Sequence, residues 1–235
     1  MTFVQVIDCK TSRVDDVNRL MDRWVQLTEG KRTATHSIVG TDRSDSTHLV
    51  EIVEFPSYEE AMKNSNLPET DQVFQELVKL CDEMPSFTDL DVVREEQLNK
   101  ALARRYFDEV VARDMVDAYD ELCTPGYIEH DPANPQDTLG RDEAKEAYRE
   151  LASAFDTQNV SLDSIAAEGE LVCCRFTVRA RHSGEFQGIA PTGNAIEVGG
   201  HVTFRCEGGK IAESWFNWDT LGLLEQLGGR RRTPG

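Results

Sequence analysis

Ala195-Ile196-Glu197-Val198-Gly199-Gly200-His201-Val202-Thr203-Phe204-Arg205-Cys206-Glu207-Gly208-Gly209-Lys210-Ile211-Ala212-Glu213-Ser214-Trp215-Phe216-Asn217-Trp218 reads as two long strands joined by a tight turn. Side chains of a strand alternate between two faces, so Val202, Phe204 and Cys206 share one face and His201, Thr203 and Arg205 the other. Glu207-Gly208-Gly209 supplies the residues that a hairpin turn needs. Working outward, Val160–Glu168 and Leu171–His182 carry the same alternation, and Leu221–Leu227 is a short terminal helix. Ahead of them come helical segments over Leu102–Ala112 and Met115–Cys123, a turn at Thr124-Pro125-Gly126, a short extended piece Tyr127–Asp131 and a helix over Gly140–Phe155. Helices followed by a long curved antiparallel sheet predict an α+β cone whose concave face and helices enclose a pocket.

The first part of the chain has a different rhythm. Thr2–Cys9 is a strand; Val14, Val17, Leu20, Met21, Trp24, Val25 and Leu27 recur at a helical period; Ala34–Gly40 and Thr47–Phe55 are strands around the turn residues 42–46. Helix follows from Ser57 and again over Glu69–Met84, Pro85 ends it, and Phe87–Val93 is a last strand. The order β-α-β-β-α-β is the ferredoxin-like split βαβ. The predicted fold class is therefore α+β throughout, with one domain over 1–97, a second over 98–228, and a basic tail 229–235 holding Arg230, Arg231 and Arg232. The polar junction Glu95–Lys100 lacks Gly and Pro and reads as the start of a helix.

The chain has 235 residues, 39% of them hydrophobic, and a formal net charge of −18. Residues 1–97 carry 10 Lys/Arg against 20 Asp/Glu and residues 98–235 carry 15 against 23, so both halves repel a phosphate backbone and nucleic acid is excluded as a partner. No apolar run approaches the ~20 residues of a membrane span, and the N-terminus lacks the apolar core of a signal peptide. The six cysteines form no CxxC pair, which predicts free thiols, a reducing cytoplasm and no metal site.

Two resemblances follow from particular residues. Val53-Glu54-Phe55-Pro56-Ser57-Tyr58-Glu59-Glu60-Ala61, followed by Asn66-Leu67-Pro68-Glu69-Thr70, resembles the dimeric α+β barrel family that includes antibiotic-biosynthesis-type monooxygenases. Residues ~100–228 resemble the SnoaL-like polyketide cyclase branch of the nuclear transport factor 2-like fold. The second likeness rests on Tyr127-Ile128-Glu129-His130-Asp131-Pro132, Gly140-Arg141-Asp142-Glu143-Ala144, the run 182–193, Gly209–Trp215 and Trp218–Gly228.

The second resemblance implies that Asp219 is the acid/base. Local chemistry points the same way: Trp215, Phe216 and Trp218 offer aromatic surroundings that raise a carboxyl pKa, as suits a base taking a proton next to a carbonyl. The alternative is that Asp219 caps the helix starting at Thr220. His130 and His201 are the further catalytic candidates, as donors or proton relays. Counting back across the turn places His201 opposite about Trp215, which leaves Asp219 roughly 13 Å further at strand rise. Trp215, Trp218, Phe176, Phe204 and Tyr127 are candidates for the substrate-binding wall. In the first domain Trp24, His36 and His48 are what an oxygenase would use, with His36 and His48 on neighbouring strands.

Together these imply a cofactor-independent intramolecular aldol cyclase of the lyase or isomerase class, acting on a small hydrophobic aromatic or polyketide-like ester or ketone in antibiotic biosynthesis. Neither a metal nor an organic cofactor is expected. The first domain implies a homodimer. The alternatives are a ligand-binding protein without turnover and a cofactor-free monooxygenase in the first domain.

Overall fold

The computed structural model describes residues 2–93, 97–133, 136 and 138–228. The basic tail 229–235 and residues 94–96 of the junction lie outside the described residues. The chain divides into two compact units, Met1–Glu95 and Glu96–Gly235. No helix among the described residues is long and apolar enough to cross a membrane.

In the first unit the elements are β1 (Phe3–Lys10), α1 (Val14–Leu27), β2 (His36–Thr41), β3 (His48–Phe55), α2 (Tyr58–Ser65), α3 (Pro68–Leu80) and β4 (Ser86–Asp91). The sheet order is β2-β3-β1-β4, with every neighbour antiparallel. Period two sends Cys9 of β1 and Leu49 of β3 to the face where Val17 and Leu20 of α1 and Val73 and Leu77 of α3 pack. Phe3, Val53 and Phe55 meet Ala61 of α2 on the same side. Ser57 caps α2 by accepting a hydrogen bond from Glu60 N. Trp24 packs in the core and donates to Thr70 Oγ1 at 3.1 Å. His36 pairs with Glu54 and His48 with Lys10, at opposite ends of β3, so the two histidines are not neighbours. The expectation of six free thiols is corrected: Cys9 and Cys81 form a disulfide with Cα atoms 6.2 Å apart across a sequence separation of 72. Spacing hides this pair because only the packing of α3 on β1 brings it together, so the cysteines no longer indicate a reducing compartment.

The second unit begins with α4 (Leu98–Arg105), which runs on as a π-helical turn over Tyr106–Val111. A 3₁₀ turn (Val116–Ala118), α5 (Tyr119–Leu122), β5 (Cys123–His130), β6 (Thr138–Gly140), α6 (Arg141–Ala154), β7 (Phe155–Glu168), β8 (Leu171–His182), β9 (Ala195–Glu207), β10 (Lys210–Trp218) and α7 (Thr220–Gln226) follow. The six strands are ordered β6-β5-β10-β9-β8-β7, antiparallel except β5 with β10. Thr124-Pro125-Gly126, expected as a turn, instead lies inside β5. Cys123 pairs with Ile211 and Ile128 with Glu213, so the residues between them bulge, which accommodates a proline that has no N–H to give to the ladder. Along β8 and β9 the even-numbered side chains are buried, apart from half-buried Val178, and the odd ones face outward. Cys173 and Cys174 take opposite faces accordingly. The inner face meets Tyr106, Phe107, Tyr119 and Ala144 in one core.

Candidate active site

A cavity of about 520 Å³ opens between the π-helical turn, α6 and the inner face of the sheet, all within the second unit. Its wall is apolar: Phe107 and Val111 from the turn, Ala147 and Leu151 from α6, Phe176, Val178, Ile196 and Val198 from β8 and β9, and Phe216 and Trp218 from β10. Phe186, from the connection 183–194, adds to one side and packs on Phe155 with ring centroids 5.1 Å apart. The polar groups are few. Glu129, Asp131, Tyr106, Tyr119 and Tyr148 reach the cavity, with Glu150, Glu185, Gln187 and Thr157.

Glu129 is the carboxyl that this wall desolvates. It is 6% exposed, and burial pushes its pKa from 4.5 to about 7. The Tyr127 hydroxyl, donating to Oε2 at 2.8 Å, partly offsets that rise, and the nearby Asp131 charge adds to it. Tyr127 O–H lies 2.5 Å from Ser214 Oγ, which closes the network on β10. Asp131 is half-buried and is oriented by Trp218 Nε1, which donates to Oδ2 at 3.1 Å, and by Ala133 N, which donates to Oδ1 at 2.8 Å. A carboxyl that exchanges a proton near neutrality, facing a mostly apolar cavity, is suited to general acid/base work.

The expected site residues are divided by the sheet. Trp218 and Phe176 line the cavity. They pack tightly at Gly200, where a Cβ would come within 2.5 Å of Phe176 Cζ and 2.9 Å of Trp218 Cβ. Tyr127 stands behind Glu129 rather than in the wall. Phe204 is corrected to core: it is fully buried against Tyr106, ring centroids 5.1 Å apart, and does not line the cavity. His130 is corrected to the outer face. It points opposite to Glu129 on β5, bonds Glu213 Oε1 through Nε2 at 2.8 Å and stacks on Trp215 with ring planes 6° apart. Trp215 therefore lies outside the cavity as well. His201 pairs with Asn217, not with Trp215: the turn pairs Glu207 with Lys210, and a bulge between Ile211 and Glu213 adds one more residue to the offset. It is exposed, and lies with Asp219, Arg175, Thr177 and Asn217 on a separate open groove of about 620 Å³. Asp131, Phe176 and Trp218 border both hollows.

Asp219 departs from the expected desolvation. It is exposed at the end of β10 and caps α7 by accepting a hydrogen bond from Gly222 N at 2.8 Å. Gly222 is suited to that position because a Cβ there would run into the Asp219 carboxylate. Sequence reasoning missed Glu129: period two puts it on the face of Tyr127, but that this face of β5 is the buried one shows only in the packed structure. Tyr106 and Tyr119 carried no signal, because aromatic residues in helices usually mean core.

The comparisons with known proteins agree with this architecture. AclR from Streptomyces galilaeus, whose hydroxylase assignment is provisional, is 27% identical, with 58% of this chain and 84% of that one covered and a TM-score of 0.51. TsrD from Streptomyces laurentii is 26% identical, over 58% of this chain and 100% of that one, with a TM-score of 0.51. A provisionally assigned SnoaL-like polyketide cyclase from Jannaschia sp. CCS1, 22% identical over 60% of this chain and 99% of that one at a TM-score of 0.53, shares the fold. No curated protein matches the chain. The model of the SnoaL-like polyketide cyclase family matches residues 101–227, more than half of the sequence and nearly all of the unit that holds the cavity, and on that match the chain belongs to the SnoaL-like polyketide cyclase family.

Proposed function

We propose that the second unit closes rings in polyketide-type esters or ketones by an intramolecular aldol reaction, with Glu129 as the acid/base. The observation that carries this reading is the Glu129 carboxyl, 6% exposed in a cavity walled mainly by aromatic and aliphatic side chains and holding its proton up to about pH 7. Such a group takes a proton from a carbon next to a carbonyl and returns it to the alkoxide that ring closure forms. The cavity supplies orientation, which is worth several kcal/mol when reacting groups are pre-aligned. Its volume suits a ligand of several rings or of comparable chain length. Asp131, held by Trp218, adds a second carboxyl at the border of the cavity. Asp219, the residue that the family likeness favours, is the rival base. Ring closure of a panel of linear polyketide esters and ketones, assayed with Glu129→Gln and Asp219→Asn side by side, decides between them. Full turnover in Glu129→Gln removes this assignment.

For the first unit we propose the dimeric α+β barrel arrangement. Its sheet leaves Ile38, Ile52 and Leu90 exposed on the face away from the helices, an apolar area that a second copy covers well. Light scattering is expected to give twice the chain mass of 26.5 kDa, and a monomer at micromolar concentration sinks the idea.

A further inference from the structure

Tyr106 and Tyr119 both reach the cavity, one from the π-helical turn and one from α5, at 2% and 1% exposure. Their hydroxyl oxygens are 2.9 Å apart. Two hydroxyls bring two protons, and the bond between them uses one. Among the described residues nothing accepts the other. Tyr127 nearby shows the contrast: it gives its proton to Glu129 Oε2 and meets Ser214 Oγ with its oxygen. Tyr148 likewise gives its proton to Val110 O at 2.9 Å. A buried hydroxyl proton without an acceptor is costly, and native structures rarely leave one without a reason. Here the cavity is where an acceptor can arrive. Burial, with the Glu129 charge also felt by both rings, holds both phenols well above their ordinary pKa, so both remain donors.

We propose that the Tyr106–Tyr119 pair is the oxyanion site of this cavity: its spare hydroxyl proton bonds an enolate or phenolate oxygen of the ligand. This rests on the reading of Glu129 as the acid/base of the same cavity. When Glu129 takes the proton, the C–H bond breaks and an O–H bond forms on the carboxyl. The C–H electron pair moves toward the neighbouring carbonyl, whose oxygen becomes the anion that the tyrosine pair meets. The enolate carbon then bonds to a second carbonyl carbon of the same molecule, and the alkoxide so formed takes the proton back from Glu129. No oxidant or reductant enters. A donor fixed in a water-poor site where charge develops needs no reorganisation during the reaction, and two linked hydroxyls polarise one another.

The test does not need the natural substrate. 6-Cyano-2-naphthol ionises to a naphtholate with its own long-wavelength absorption, and it stands in for the enolate. Full-length Glu129→Gln, which keeps the shape of the protonated base and removes its charge, is the background. There the naphthol is expected to bind ionised at a pH where it is neutral in solution. Adding Tyr119→Phe should weaken binding by about 10-fold or more and lose the naphtholate band, the scale of a hydrogen bond to a charged group. Tyr106→Phe in the same background guards against misfolding of the first variant, and circular dichroism checks both. The proposal is overturned if the naphthol fails to bind, binds neutral, or binds ionised with the same strength in both Phe variants. Those outcomes are distinct from failure of the Glu129 reading, which shows as full turnover in Glu129→Gln.

Discussion

From β5, Tyr127 and Glu129 point inward to the aromatic interior, while Ile128 and His130 point from the same strand to the outer face. The two faces are one residue apart in sequence and differ as media. Inside, Glu129 loses water and gains one hydroxyl donor, and its pKa rises to about 7. Outside, Glu213 meets His130 and Arg205, and those partners hold its carboxyl below the usual range. Asp219, exposed at the end of β10, spends its carboxylate on the first turn of α7. Proximity to aromatic residues in the chain is thus a poor guide to desolvation. The face decides it, and on a strand the face changes with every residue.

Three measurements press on this contrast. The largest effect is expected at Glu129. Glu129→Gln retains shape but cannot accept a proton, so turnover should fall by about 10² or more with substrate binding much less changed. If Asp219→Asn shows that loss and Glu129→Gln does not, the assignment of the two faces is reversed.

The next effect is on stability. Glu129 titrates near 4.5 when unfolded and about 7 when folded. The folded pKa is the higher one, so its contribution is fully present below pH 4.5 and is lost as pH rises through about 7. At about 1.4 kcal/mol per pH unit this amounts to about 3 kcal/mol, an order-of-magnitude figure. Urea unfolding from pH 4.5 to 8, wild type against Glu129→Gln, should show the wild type losing stability relative to the variant across that window. Parallel curves would mean that Glu129 is hydrated.

The smallest effect is expected at Asp219. Asp219→Ala removes a helix cap and should cost about 1 kcal/mol, whereas Asp219→Asn, an equally good cap, should melt as the wild type does. Both should turn over within about threefold of it, since Asp219 is exposed, caps α7 and is not in the wall of the cavity that holds Glu129. A hundredfold loss in Asp219→Asn with an unchanged melting point would restore Asp219 as the base.

In the second unit the sequence by itself specifies the long strands, because alternation along Leu171–His182 and Ala195–Trp218 is a direct imprint of one wet and one dry sheet face, but not β6 or the bulged start of β5. It also determined the hairpin at Gly208-Gly209, where both residues take the positive φ that glycine allows. The site, by contrast, depends on how the elements pack. A bulge beside Ala212 shifted the pairing of His201 by one residue, from Phe216 to Asn217, and such an irregularity leaves no periodic trace. Packing of α3 on β1 joined Cys9 to Cys81 across most of the first unit. The meeting of Tyr106 with Tyr119, and of Tyr127 with Ser214 87 positions away, depends on how helix and sheet are laid together. Local patterns report which way each side chain faces, whereas burial, and with it the pKa of Glu129, is a property of everything packed around it.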